Sequence, residues 1–327
     1  MAPISRRRRF GPVLGFLLFC CTAVLCAEFI SDSTPAPLLV GDKLLAYLPY
    51  YVGLVWLIGI RGGLSARSLY LFGATLGLAG QTFGTGRWPA LGLGWEQTVI
   101  ALTYRPLLAV VVPVLVCASV FGTPYRVGLS RRARWALLAA LPVMAGAFAA
   151  VGGQQLVVFV AAIVVNAVLY TIVVTVYRRW GGPVPWLPTW LAIVAAAGAA
   201  AELARGLWLA YGASPLPILA TLGGLALMIA ALYRSTRRDR PVEDPGPPNL
   251  SVREYLAYLP VFAALAIGFF WLIGAVNGVT ANAGSETVAL IALATGVAGV
   301  AYLAVVVVWM LLPRRMPRSA AGPHRAE

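Results

Sequence analysis

Acidic residues, histidine and lysine are scarce in this chain of 327 residues. It has 11 Asp and Glu, one His and, among 25 basic residues, one Lys. Charged residues make up 11% of the chain, where a soluble domain carries about a quarter. The single histidine, His324, lies in the C-terminal tail. No His-based acid/base pair or His-ligated metal is therefore expected in the body of the chain. The four cysteines (Cys20, Cys21, Cys26, Cys117) all fall in apolar runs without metal-type spacing. They are read as small hydrophobic packing residues, with no disulfide framework, metal site or cofactor implied. The chain lacks a Gly-x-Ser-x-Gly elbow, and no glycine-rich phosphate loop follows a strand. An acid/base enzyme would have to rely on Glu28, Asp32 or Glu202, a thin basis for hydrolysis. Active transport would need an ion gradient or a separate ATPase.

What the chain has instead is apolar length. Hydrophobic residues make up 60% of it and the mean hydropathy is +0.84. Ten apolar runs follow one another: Phe10–Phe29, Leu44–Ile60, Ser68–Thr85, Gln97–Phe121, Trp135–Val151, Leu156–Tyr177, Trp186–Leu209, Pro215–Tyr233, Tyr255–Val276 and Thr287–Leu312. At ~1.5 Å rise per residue each comes near the ~30 Å of a hydrocarbon core. The expected fold class is all-α, a polytopic transmembrane helical bundle of about ten spans. Residues 1–233 would hold spans one to eight, 234–254 a cytoplasmic linker, 255–312 spans nine and ten, and 313–327 a basic cytoplasmic tail. The linker contains Pro245-Gly246-Pro247-Pro248, which cannot be helical. Arg6-Arg7-Arg8-Arg9 resembles a signal-peptide or twin-arginine start, but the long run and the many later spans make it a topology determinant.

The net charge is +14, yet the arginines sit in short clusters between apolar runs rather than on one basic face. That is a cytoplasmic-loop pattern, and nucleic acid is not an expected partner. With the N-terminus inside, 21 of the 25 basic residues fall on the cytoplasmic side. Lys43 and Arg87 fall outside, and Arg105 and Arg205 within spans. Both termini are therefore expected in the cytoplasm, the expected location is a cytoplasmic (inner) membrane, and the expected partner is the lipid bilayer.

Charges inside apolar runs are costly in hydrocarbon and mark candidate sites. Ala200-Ala201-Glu202-Leu203-Ala204-Arg205-Gly206 places a carboxylate and a guanidinium three residues apart in the seventh run. The expected topology puts both in the outer half of the membrane, at about the depth of Arg105 in the fourth. Glu28 ends the first run on the same side, and Gln81 lies near the outer end of the third. Arg105, Glu202 and Arg205, with Glu28 and Gln81 as second-rank members, would form a mildly positive outward pocket suited to a small anionic ligand or lipid headgroup. A plainer reading stands beside it. Glu202 and Arg205 at i, i+3 neutralise each other, and Arg105 snorkels to the headgroups.

Several other features read as packing. Gly73-xxx-Gly77 permits close helix approach. Tyr47, Tyr50 and Tyr51 fall near a run end, as an aromatic belt requires. Asn166, mid-run, is expected to hydrogen-bond between helices. Leu45-Ala46-Tyr47-Leu48-Pro49 recurs as Leu256-Ala257-Tyr258-Leu259-Pro260, but the two runs would cross in opposite directions. Low-complexity apolar sequence makes such matches by chance, so a true internal repeat is not the expected reading.

Three pieces of the first third carry a resemblance. They are Ala27-Glu28-Phe29-Ile30-Ser31 with Thr34-Pro35, the run Leu71 to Leu78, and Leu102-Thr103 through Val112-Pro113. Together they resemble an uncharacterised family of bacterial polytopic membrane proteins, distantly similar to CAAX-type intramembrane proteases. The resemblance would place a glutamate pair in the third span, where this chain has Ala79-Gly80-Gln81-Thr82 without an acid. The later histidines of such proteases are missing as well, so the resemblance implies no protease chemistry. Three functional readings follow. The first is a transporter-like or ligand-binding protein, the second a lipid-modifying or degenerate protease-like enzyme, the third a membrane scaffold or immunity protein.

Overall fold

The computed structural model describes residues 11–32, 40–85, 102–103, 106–114, 131–151, 154–180, 187–212, 214–239, 252–279 and 284–312. Nearly all of them are helical. The helices are α1 (Gly11–Asp32), α2 (Val40–Arg61), α3 (Ala66–Thr85), α4 (Arg131–Val151), α5 (Leu156–Trp180), α6 (Thr189–Tyr211), α7 (Pro215–Arg238), α8 (Val252–Val279) and α9 (Gly284–Leu311). Between α3 and α4 lies the fourth segment, residues 102–103 and 106–114, which contains a π-helical stretch, Leu107–Val111. Each helix coincides with one of the apolar runs, because a chain in hydrocarbon must satisfy its backbone internally. The helices extend past the runs where polar residues reach the surface: α7 carries Arg237 and Arg238 in its last turn, favourable against the C-terminal partial charge. Between α2 and α3 the chain reverses through Gly62 (φ 67°) and Gly63 (φ 135°), conformations open to glycine and few other residues.

Among the described residues, four helical segments are long and apolar enough to cross a membrane: Leu156–Val176, Thr189–Leu209, Ile218–Arg238 and Leu256–Ala275. Shorter apolar stretches are Val13–Leu25, Leu138–Ala147 and Val297–Leu311. Only 6% to 28% of the residues in the four long spans are buried. Large apolar side chains such as Ile193, Leu216, Trp271 and Val305 point outward instead. That inverts the pattern of a water-soluble domain and fits lipid as the surrounding solvent.

The core sits where α1, α2, α3 and the π stretch meet. Phe19, Tyr51, Leu54, Leu71 and Val110 are fully buried there. A second cluster joins α4, α5 and α8 through Ala145, Phe159 and Ala266, with Leu108 and Val112 bridging to the π stretch. Hydrophobic segregation from lipid gives little drive for such contacts, so close backbone approach matters. At Gly73, an added Cβ would lie 2.6 Å from Pro106 Cα; at Gly146 it would collide with the Ala266 carbonyl, and at Gly299 with the Thr103 side chain. These glycines set the α3–fourth-segment, α4–α8 and α9–fourth-segment approaches.

Candidate functional site

Glu202 and Arg205 lie one turn apart on α6, and their side chains pair. Arg205 Nε donates to Glu202 Oε2 at 2.9 Å, and Nη2 lies 2.8 Å from the same oxygen. The Arg205 side chain is 61% exposed and that of Glu202 43%. Around the pair, Ala201 and Ala204 are exposed, as are Trp208 and Leu209 one turn later. Arg205 is four residues from the end of the Thr189–Leu209 span, or about 6 Å along the axis, within reach of a headgroup region. The pair is thus an intrahelical neutralisation on an outward face of α6, the helix that packs against α2, α3 and α7. Of the other candidates, Arg105 lies outside the described residues. Glu28 belongs to α1 and Gln81 to α3, and their side chains lie outside the described set.

The fourth segment is where backbone chemistry departs most from a regular helix. It carries Pro106 and Pro113, neither of which has an N–H. In an α-helix their missing donors would have served the carbonyls of Leu102 and Ala109, four residues earlier. The segment adopts a wide turn, with Val112 N–H donating to the Leu107 carbonyl five residues back. The two carbonyls take donors from neighbouring helices. Tyr70 Oη of α3 donates to Leu102 O at 2.9 Å, and Tyr51 Oη of α2 donates to Ala109 O at 2.9 Å.

The same arrangement recurs in the second cluster. Pro142 inside α4 removes the donor due to Leu138 O, and Tyr258 Oη of α8 donates to that oxygen at 2.7 Å. For Pro106 at the start of the π stretch, Pro113 just past it and Pro142 inside α4, the carbonyl four residues back thus accepts from a tyrosine of another helix. A buried carbonyl left without a donor costs on the order of 1–3 kcal/mol, and less where the unfolded helices find other partners. The three tyrosines therefore fix helix pairs as well as satisfying the backbone: α3 and α2 each to the fourth segment, and α8 to α4.

Two sequence expectations change. Tyr51, read as part of an aromatic belt, is fully buried, edge-on to Phe19 at 5.8 Å and stacked on Tyr47 at 5.8 Å. Asn166, expected to bond between helices, donates through Nδ2 to Ala162 O of its own helix at 2.8 Å, while its buried Oδ1 has no partner. The back-bond to the preceding turn is available within α5, so no neighbour is needed for that group. Near the end of α6, Tyr211 has a buried hydroxyl, and desolvation pushes its pKa up to about 12.

A family model described as an uncharacterized membrane protein family matches residues 17–319. The chain belongs to that family. The match runs through every helix described above, so the family's membrane character applies to the whole bundle. No curated protein and no solved structure matches the chain.

Proposed function

We propose that this member of the family is a multi-pass inner-membrane protein of about ten spans with both termini cytoplasmic, acting as a transporter-like, ligand-binding protein. The observation that carries this reading is the fourth segment, whose two proline-freed carbonyls are served by tyrosines from two different helices. Discontinuous helices of this kind line substrate sites in many transporters, and π turns recur at functional positions. A helix held by side-chain donors changes its angle by exchanging a tyrosine bond, without breaking its own ladder. Arg105, immediately before Pro106, gives that hinge a cation suited to a carboxylate or phosphate ligand. Glu202 and Arg205 are second members of the outward site, their mutual pair being the ground state that an anion would open. The basic residues at the loop ends support the orientation.

The test is accessibility. Replace the native cysteines, introduce Arg105→Cys and Arg205→Cys separately, and add a membrane-impermeant charged thiol reagent to the outer face of intact cells. Labelling at both positions, slowed by a transported anion, is the expected result. Labelling at neither position refutes an outward aqueous site.

A further inference from the structure

We infer that the joined C-terminal ends of α7 and α9 form a binding pocket for the phosphate of an anionic phospholipid. A cavity of about 430 Å³ lies there, lined by Arg234, Arg237 and Arg238 of α7 and by Leu311 and Leu312 at the end of α9. Its lining residues divide by chemistry and by helix, three arginines from α7 and two leucines from the end of α9. That division matches a lipid at the interface, with the phosphate in the arginine fork and the glycerol and first acyl carbons on the leucines.

The arginines are held toward the cavity by contacts that leave donors over. Arg234 Nη1 donates to Leu311 O, and Arg238 Nη1 to Trp309 O at 3.4 Å and to Met310 Sδ at 3.5 Å. Those bonds satisfy carbonyls at the end of α9 while using one nitrogen of each guanidinium. The Arg237 guanidinium lies 4.8 Å from the Tyr233 ring centroid, a contact that engages its face and leaves its edge donors out of the plane contact. Beside the cavity, the Arg67 guanidinium stacks over Trp309 at 4.8 Å, and its buried Nε has no acceptor. The nearest described carboxylate, Asp239, accepts from Ser65 N–H at 3.1 Å, which ties it to the α2–α3 turn. Ser235 is likewise taken up by Ser68, Oγ to Oγ at 2.7 Å. Tyr233 and Trp309 place this end of the bundle at an aromatic interface level. The pocket is separate from the outward site: it lies at the opposite end of α7 from the outward loops in the proposed topology, and it needs only that this end meets a leaflet.

Native mass spectrometry of the full-length protein in detergent, with phosphatidylglycerol or phosphatidylcholine added, tests the inference. The wild type should retain phosphatidylglycerol at least about fivefold more strongly, and Arg237→Gln should reduce that preference by about fivefold, one surface cation's worth. Arg237 is the safest of the three to change because, unlike Arg234 and Arg238, it does not bond to the end of α9, and its effect on the α7 C-terminal partial charge is small. Arg132→Gln, on an exposed arginine of α4, should leave the preference unchanged; an equal loss there would mean diffuse attraction and overturn the pocket. Equal retention of the two lipids by the wild type overturns it without any variant. Soluble glycerol 3-phosphate should fail to displace the lipid. Displacement at matching concentration would make the ligand a free phosphate ester and overturn the lipid assignment.

Discussion

Replacing Tyr51 by Phe removes one oxygen from the centre of the bundle and leaves the ring contacts with Phe19 and Tyr47 in place. What changes is the Ala109 carbonyl, which loses its 2.9 Å donor while Pro113 still offers no N–H four residues on. A buried acceptor left open costs ~1–3 kcal/mol in soluble proteins. Interhelical hydrogen bonds in membranes average only ~0.6 kcal/mol, with a maximum near ~1.7, because the unfolded helices find other partners. Here Pro113 denies the carbonyl its usual backbone partner in either state, so the upper part of that range applies, ~1–1.5 kcal/mol. The decisive measurement is the cycle with Pro113→Ala. An alanine restores an N–H to the ladder, so Tyr51→Phe should cost less than ~0.5 kcal/mol in that background. Reversible unfolding in mixed micelles, followed by helical circular dichroism, reads all four corners. Equal losses from Tyr51→Phe in both backgrounds, within the ~0.3–0.5 kcal/mol scatter of additive sites, would refute the proline-compensation argument.

Three further expectations follow the same logic. Tyr258→Phe should destabilise α4–α8 pairing by about 1 kcal/mol, and Pro142→Ala should absorb most of that loss in a second cycle of the same kind. Gly146→Ala drives a methyl into the Ala266 carbonyl and should cost ~1–3 kcal/mol, whereas Gly198→Ala on α6 meets nothing within 4 Å and should be neutral or stabilising by up to ~1 kcal/mol; a melt showing equal shifts for the two would discredit the close approach. Glu202→Ala leaves Arg205 without its 2.8 Å partner and should lower stability in lipid nanodiscs more than Glu202→Ala/Arg205→Ala does, since the double change removes the charge altogether. A double variant as unstable as the sum of the singles would show that each residue has another partner.

The positions of the helices were legible because apolar length alone determines them. A run such as Leu156–Tyr177 has no other stable conformation in hydrocarbon, and α5 begins at the same residue and ends three later. The i, i+3 pairing of Glu202 with Arg205 was legible for a related reason: helix geometry fixes it locally. The tyrosine contacts were not, because each depends on a partner far along the chain: 58 residues separate Tyr51 from Ala109, and 120 separate Tyr258 from Leu138. Hydropathy cannot specify which helix faces which when lipid is as apolar as the helices themselves. Yet a usable signal was present. A proline inside an apolar run announces an open carbonyl four residues earlier, and Pro106, Pro113 and Pro142 announce Leu102, Ala109 and Leu138. Tyrosine is the natural donor to look for, since it carries its hydroxyl on a large apolar ring that packs well in the core. Position near a run end suggests a belt tyrosine at Tyr51, whereas the unmet backbone demand of Ala109 on another helix is what puts it in the core.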